Sequence, residues 1–262
     1  MKSAIALTFH KINPDLAGSK PKSSSSTDRY TISTGRFEQA VNITPPERCC
    51  TVSEYVEKQA GDWLILTFDD GNISDFEIAF PILRNKGVKA TFFINTGSID
   101  LPGYSNISHL KEMAKAGMEI ASHGLTHHYL INMERDEAIR EIKESKDRLE
   151  KQVGTEVKSF APVGGHYRKW MKSIAQEAGY RAFATMIPGK TNGGENMVLL
   201  HRNHIQSHHD AGYVSRLING DYGTLLLDRL RYSVLQIPKN ILGIQNYDLA
   251  KKYLSGILKT PY

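Results

Sequence analysis

Short apolar runs alternate along this chain with longer amphipathic ones. Residues 4–9 (AIALTF), 63–68 (WLILTF) and 88–94 (VKATFFI) are apolar nearly throughout. Runs of that length predict strands buried on both faces, as in parallel sheets. Shorter runs predict further strands over 118–121, 158–161, 180–185 and 197–200. Between them, helices are predicted over 35–42, 51–59, 74–86, 108–116, 135–153 and 169–178. The helix over 135–153 is the clearest. Ala138, Ile139, Ile142, Leu149 and Val153 share one face, charged residues cover the other, and Gly154 stops it. Ser74 and Glu77 have capping-box spacing, and Pro81 should perturb the helix that follows. Residues 13–29 read as a loop with a low-complexity centre, Ser23 to Ser26. Residues 187–196, rich in glycine and asparagine, read as a loop, either facing a substrate or a solvated connection.

Strand and helix alternate about seven times, which implies a parallel α/β architecture, either an open doubly wound sheet or a barrel. Polar candidates collect where strands end: His10, Asp69, Asp70, His123 and His201. In parallel α/β folds that edge is where sites are built. After about residue 212 the pattern changes. Residues 225–235 and 247–258 predict amphipathic, basic helices joined through Pro238 and Gly243. The expected organisation is a domain over 1–211 with a helical extension over 212–262 packed on it, with peripheral membrane contact as a further role for the extension.

Composition narrows the classes. The 262 residues, 40% hydrophobic and 23% charged, suit one large globular domain. No apolar run reaches membrane-spanning length, and residues 1–9 lack the h-region and cleavage site of a signal peptide, so a cytoplasmic location is the expectation. Adjacent Cys49 and Cys50 cannot make a disulfide framework. A net charge of +5 suits an anionic substrate or membrane surface but is too scattered for nucleic-acid binding.

The chemistry begins at Asp69-Asp70-Gly71, directly after an apolar strand. Such a tripeptide is also ordinary turn chemistry. Burying adjacent carboxylates, however, costs several kcal/mol unless something pairs with them. A metal ion would pair with one and leave the other as a base. His123 and His127, four residues apart beyond the strand over 118–121, supply two more ligands. Two imidazoles and a carboxylate suit a divalent ion, zinc or another transition metal, with open positions. His128, beside His127, leaves room for an incidental histidine-rich turn.

Thr67-Phe68-Asp69-Asp70-Gly71 followed by Ser122-His123-Gly124-Leu125-Thr126-His127 resembles the polysaccharide deacetylase family, the NodB-homology domain of carbohydrate esterase family 4. Lys89 to Ile94 and Phe160 to Gly165 are similar to two further motifs of that family, and the likeness runs from His10 to Arg202. It implies a distorted (β/α)7 barrel and a metal-dependent hydrolase that removes N-acetyl groups from the amino sugars of a polysaccharide or glycan precursor. It also implies Asp70, His123 and His127 as metal ligands, with zinc the expected ion, and Asp69 as general base. Phe9-His10 looks like the first-strand motif of the exopolysaccharide-deacetylase branch, so His10 is the preferred general acid, with His201 and then His204 as alternatives. Pro162, Gly164, Gly165 and Arg202 are implied on the substrate side. One departure stands out: the arginine that begins the family's third motif is replaced here by Phe160 or Ala161, which leaves Asp69 to be oriented by another group such as Arg202. Deformylation of a lipid-linked amino sugar and non-catalytic glycan binding are the competing readings.

Overall fold

The computed structural model of the chain describes residues 1–14, 29–193 and 197–242. The serine tract at 23–26, the end of the loop predicted over 187–196 and the helix predicted over 247–258 lie outside the described residues. No helix among the described residues is long and apolar enough to cross a membrane.

The predicted strands form one sheet. In chain order its members are β1 (Lys2–Phe9), β4 (Gly61–Asp70), β5 (Ala90–Ile94), β6 (Glu119–Ser122), β7 (Ser159–Phe160), β8 (Ala182–Ala184), β9 (Lys190–Asn192), β10 (Val198–Leu200) and β11 (Arg202–His204). Their spatial order is β10-β8-β7-β6-β5-β4-β1-β11, all parallel, with β9 antiparallel on β1. The two ends of that path, β10 and β11, are successive pieces of one chain segment separated only by His201. The sheet therefore comes close to closing on itself, and with β10 and β11 counted as one interrupted strand it is the expected seven-stranded barrel. A small parallel pair, β2 (Lys11–Asn13) and β3 (Thr31–Ser33), stands beside it.

Helices α1 (Thr34–Asn42), α2 (Val52–Glu57), α3 (Phe80–Lys86), α4 (Ile107–Lys115), α5 (Arg135–Val153), α6 (Lys169–Glu177), α7 (Ala211–Ile218) and α8 (Tyr222–Leu242) complete the described chain. The helix predicted to start at Ser74 differs. Asp75–Ala79 is a π-type turn and regular helix begins only at Phe80. Pro81 has no N–H to give an i−4 carbonyl, so the turn before it widens. Ser74 makes no cap and instead accepts from the Ile12 N–H at 3.2 Å. Part of the loop predicted over 187–196 is strand β9. Helix α8 runs on through Pro238 instead of ending near residue 235.

Alternation along the strands sorts side chains into two layers. Ile5, Leu7, Phe9, Leu64, Leu66, Phe68 and Phe92 point outward, into the core shared with the helices. Val214, Leu217 and Ile218 of α7 join that same core. Ala4, Ala6, Ile65, Phe93, Ala121, Ala161, Ala182 and Ala184 point inward and fill the barrel. Six alanines in that inner set keep the interior narrow but leave room for long polar side chains above them. The same inward parity continues up β4 to Thr67 and Asp69, up β1 to Thr8 and His10, and along β11 to Arg202 and His204. At the opposite end Glu119 accepts from the Thr91 and Ser159 hydroxyls and the Ser53 N–H, anchoring α2 across the barrel floor.

Candidate active site

The site stands at the C-terminal ends of the strands. Consecutive residues of a strand face opposite ways, so Asp69 and Asp70 could not both reach one space from regular β-structure. Asp70 leaves the extended conformation with φ at 81°, and this bend turns its carboxylate toward the histidines while Asp69 keeps its inward aim. Non-glycine residues pay for such a backbone with strain, and they concentrate at functional sites. His127 does the same, with φ at 61°.

The structure brings Asp70, His123 and His127 together, with one ligand atom from each lying within 4.8 Å of the others. His127 Nε2 is 2.8 Å and His123 Nε2 3.5 Å from Asp70 Oδ1. His123 Nδ1 is 2.7 Å from the Ala161 carbonyl, which can only accept, so that nitrogen carries the proton. In the neutral ring Nε2 then presents a lone pair toward a carboxylate oxygen, two acceptors facing each other. A cation between them resolves that arrangement, and the residues fit a divalent metal. Without a cation the facing pair needs a proton on His123 Nε2 as well, and hydrogen bonds from His123 and His127 then hold Asp70 well below the ordinary range, although burial works to raise it. His127 moves the other way: its bond to Asp70 raises it.

The loop carrying these histidines is pinned by a residue the sequence reading passed over. Glu141 of α5, 4% exposed, accepts from the Leu125 N–H at 2.7 Å, the Thr126 N–H at 3.2 Å and the Thr126 hydroxyl at 2.6 Å. Its signal was present. Glu141 lies between Ala138 and Ile142 on the apolar stripe of α5, where an unpaired charge would be costly. Gly97 lets the loop after β5 approach from the other side: a Cβ there would stand 2.3 Å from the Leu125 carbonyl.

Asp69 is held by Arg202. Nη1 lies 2.5 Å from Oδ1 and Nη2 3.0 Å from Oδ2, and Nε donates to the Thr185 carbonyl at 3.1 Å. Both side chains are buried, Arg202 at 0% exposure. Burial raises the Asp69 carboxyl, but Arg202, His123 and His10 outweigh it and leave it below the ordinary range. Arg202 thus stands behind Asp69 and is closed to a substrate; its implied place on the substrate side is corrected. The orientation that the third motif lacks arrives instead from β11. What that motif contributes is the Ala161 carbonyl under His123. Pro162 and Gly165 are also buried, Gly165 tightly against Met186, and only Gly164 is half-buried at the surface, beside Tyr129.

Of the three candidate acids, two reach this space. His10 stacks on Tyr30 at 4.7 Å between ring centroids and lies 5.7 Å from His204, and its charge neighbours include Asp69 and Asp70. Burial lowers its pKa against the pull of those carboxylates. His204 is lowered further, by burial and by His10, and neither ring nitrogen has a hydrogen-bond partner among the described residues. His201 is not brought in. Arg202 points inward, so its chain neighbour points away, and His201 has Arg229 as its charge neighbour.

A second residue escaped the sequence reading. Asp75 is 1% exposed, and neither carboxyl oxygen has a hydrogen-bond partner among the described residues. Burial, then Asp70 and Asp69, raise its pKa well above the ordinary range. Nothing in the sequence separates it from a helix-start aspartate.

Residues 57–183 match the family model described as polysaccharide deacetylase. Over 194 residues the chain is 26% identical to the poly-beta-1,6-N-acetyl-D-glucosamine N-deacetylase of Staphylococcus aureus, covering 68% of this chain and 65% of that one. It is 28% identical over 160 residues to YxkH of Bacillus subtilis, covering 61% of this chain and 57% of that protein. The chain thus spans less than two thirds of the length of these relatives. Among solved structures, the fold is similar to the Streptococcus pyogenes deacetylase PplD in complex with acetate, with a TM-score of 0.72 and 23% identity over 82% of this chain and 98% of that one. It is also similar to IcaB from Ammonifex degensii, with a TM-score of 0.64 and 18% identity over 83% and 97%.

Proposed function

We propose that this chain, whose residues 57–183 match the polysaccharide deacetylase model, is a member of that family and a metal-dependent hydrolase that removes N-acetyl groups from the amino sugars of a glycan. The observation that carries the reading is the pairing of a complete Asp70–His123–His127 ligand set with a second carboxylate, Asp69, held ionised beside it by Arg202. Binding alone has no need of that spare carboxylate. The ground for a non-catalytic reading was the missing third-motif arginine, and the Arg202 pairing with Asp69 supports the catalytic one instead.

Asp70, His123 and His127 would hold the ion, for which zinc suits the donor set. When bound, a divalent ion supplies Lewis acidity, acidifying water and polarising an amide carbonyl. Asp69 accepts the proton of the attacking water, and Arg202 keeps both its oxygens oriented for that task. His10 delivers a proton to the departing amine nitrogen. Burial makes its protonated form a stronger acid than a solvated imidazolium, which favours release to the more basic amine. Water is thus added across the C–N bond, giving acetate and a free amino sugar. The likeness to the poly-beta-1,6-N-acetyl-D-glucosamine N-deacetylase favours an exopolysaccharide as the glycan.

The test is acetate release from N-acetylated oligosaccharides, with metal-loaded protein beside chelated protein and beside Asp69→Asn. Release that needs both metal and Asp69 is the expected result. Stoichiometric metal binding with no release from any N-acylated sugar would sink the proposal.

A further inference from the structure

Helix α8 turns an apolar face away from the protein. Leu225 packs on the core, Asp228 accepts from the Tyr213 hydroxyl at 2.6 Å, and Arg229 donates to the Pro188 carbonyl at 3.0 Å. These contacts fix which side of α8 meets the barrel. Leu227, Leu230, Val234 and Ile237, spaced three and four apart, line the opposite side with exposures of 67%, 53%, 62% and 59%. Leucines and valines at such exposure along one stripe are unusual for a water-facing helix, since an exposed contiguous apolar patch marks an interaction surface.

Two further observations bear on what covers it. From Tyr222 to Tyr262 the chain has six basic residues and two acidic ones, so about a sixth of its length carries four of the five units of net positive charge. The Pro188 carbonyl that holds Arg229 belongs to the segment leaving the C-terminal end of β8, the barrel edge that also carries Asp69, Asp70 and His123. An apolar stripe flanked by arginine and followed by lysines matches a surface of acyl chains under anionic headgroups, where each basic residue adds attraction. A protein partner would not require the charge to collect there.

We propose that the outward face of α8 docks on an anionic membrane surface and sets the barrel mouth close to it, so that the glycan acted on is one held at a lipid surface. The clause on the glycan rests on the deacetylase reading; the docking itself does not.

The full chain is incubated with vesicles of phosphatidylcholine containing phosphatidylglycerol, and separately with vesicles of phosphatidylcholine alone, and bound protein is read by sedimentation. Leu227→Ser, Leu230→Ser and Val234→Ser are combined in one variant, with circular dichroism to check that α8 remains folded and hydrolysis of a water-soluble N-acetylated oligosaccharide measured beside it. The expected result is binding to the anionic vesicles that falls at least about tenfold in the variant and is weak on the neutral vesicles, with soluble-substrate turnover unchanged. No binding, or equal binding to both vesicles, overturns the proposal. A dimer seen by light scattering would then assign the face to a second copy, and a monomer to residues 243–262 of the same chain. Vesicle binding without turnover of any substrate would leave docking in place and sink the deacetylase reading alone.

Discussion

Arg202 and Asp69 form a buried two-pronged ion pair across 133 positions of sequence. Two parallel N–H donors fix the plane of the carboxylate. Removing one partner leaves an uncompensated buried charge, which costs about 3–5 kcal/mol. Arg202→Met should therefore destabilise strongly, measured by urea unfolding, and Arg202→Met with Asp69→Asn should recover much of the loss. Whatever activity Arg202→Met retains should have its acid limb displaced to higher pH, because the guanidinium is what holds the Asp69 carboxyl down. An unmoved acid limb would remove Asp69 from the role of base.

His10 and His201 are separable by kinetics. His10→Gln should lower kcat by about 10²–10⁴-fold, the usual worth of a positioned acid, while leaving metal affinity unchanged. His201→Ala should stay near wild type, since Arg229, and neither Asp69 nor Asp70, is its charge neighbour. The reverse ranking would overturn the acid assignment.

Glu141 holds the Leu125–Thr126 backbone between His123 and His127, so under the proposed function it should support metal binding. Glu141→Gln can satisfy only part of that set, and losses of supporting groups typically weaken metal binding about 10–100-fold. Competition with a chromophoric chelator measures this, and unchanged affinity would show that the loop holds its shape without Glu141.

Under the proposed function, protons and metal should compete at His127. Its pKa in the metal-free protein is raised by the bond to Asp70. The stabilisation from that bond is complete below the unfolded histidine pKa, about 6.5, and fades as pH rises through the higher folded value. Metal affinity should run oppositely, tightening as pH rises through the same window with release of a proton. Isothermal titration in buffers of different ionisation heat would count that proton; none released would mean His127 is not a ligand.

Asp75 gives a stability effect of defined sign. Its folded pKa is raised, so the fold binds a proton that the unfolded chain sheds. Stability is therefore lost as pH climbs from the unfolded value, about 3.9, toward the folded one. Asp75→Asn mimics the neutral acid and removes that loss, so in chelated protein its Tm should exceed wild type at neutral pH and approach it near pH 4. A variant less stable at neutral pH would mean that Asp75 is charged and paired.

Much of this protein was legible in its residues. Apolar runs located β1, β4, β5 and β6, the 3.6-residue stripe bounded α5 at Arg135 and Val153, and the polar residues closing those runs marked the working edge. The short strands β2, β3, β9 and β11 were not legible because, unlike β8 and β10, they lie in no apolar run. Asp70, His123 and His127 could be named because each follows a recognisable strand within a local motif. What the tertiary structure alone decided was which distant groups face one another. Alternation says that Arg202 and Asp69 both point inward, but only the register of β11 on β1, pairing Ala6 with Arg202, carries the guanidinium to that carboxylate. Alternation also turns His201 away once Arg202 points in. Elements and reactive groups follow from the residues alone, because these depend on neighbours a few positions apart. Barrel closure determined the partners of Asp69, His10 and the metal loop, because burial and pairing depend on residues that meet only when the sheet's two edges are brought together.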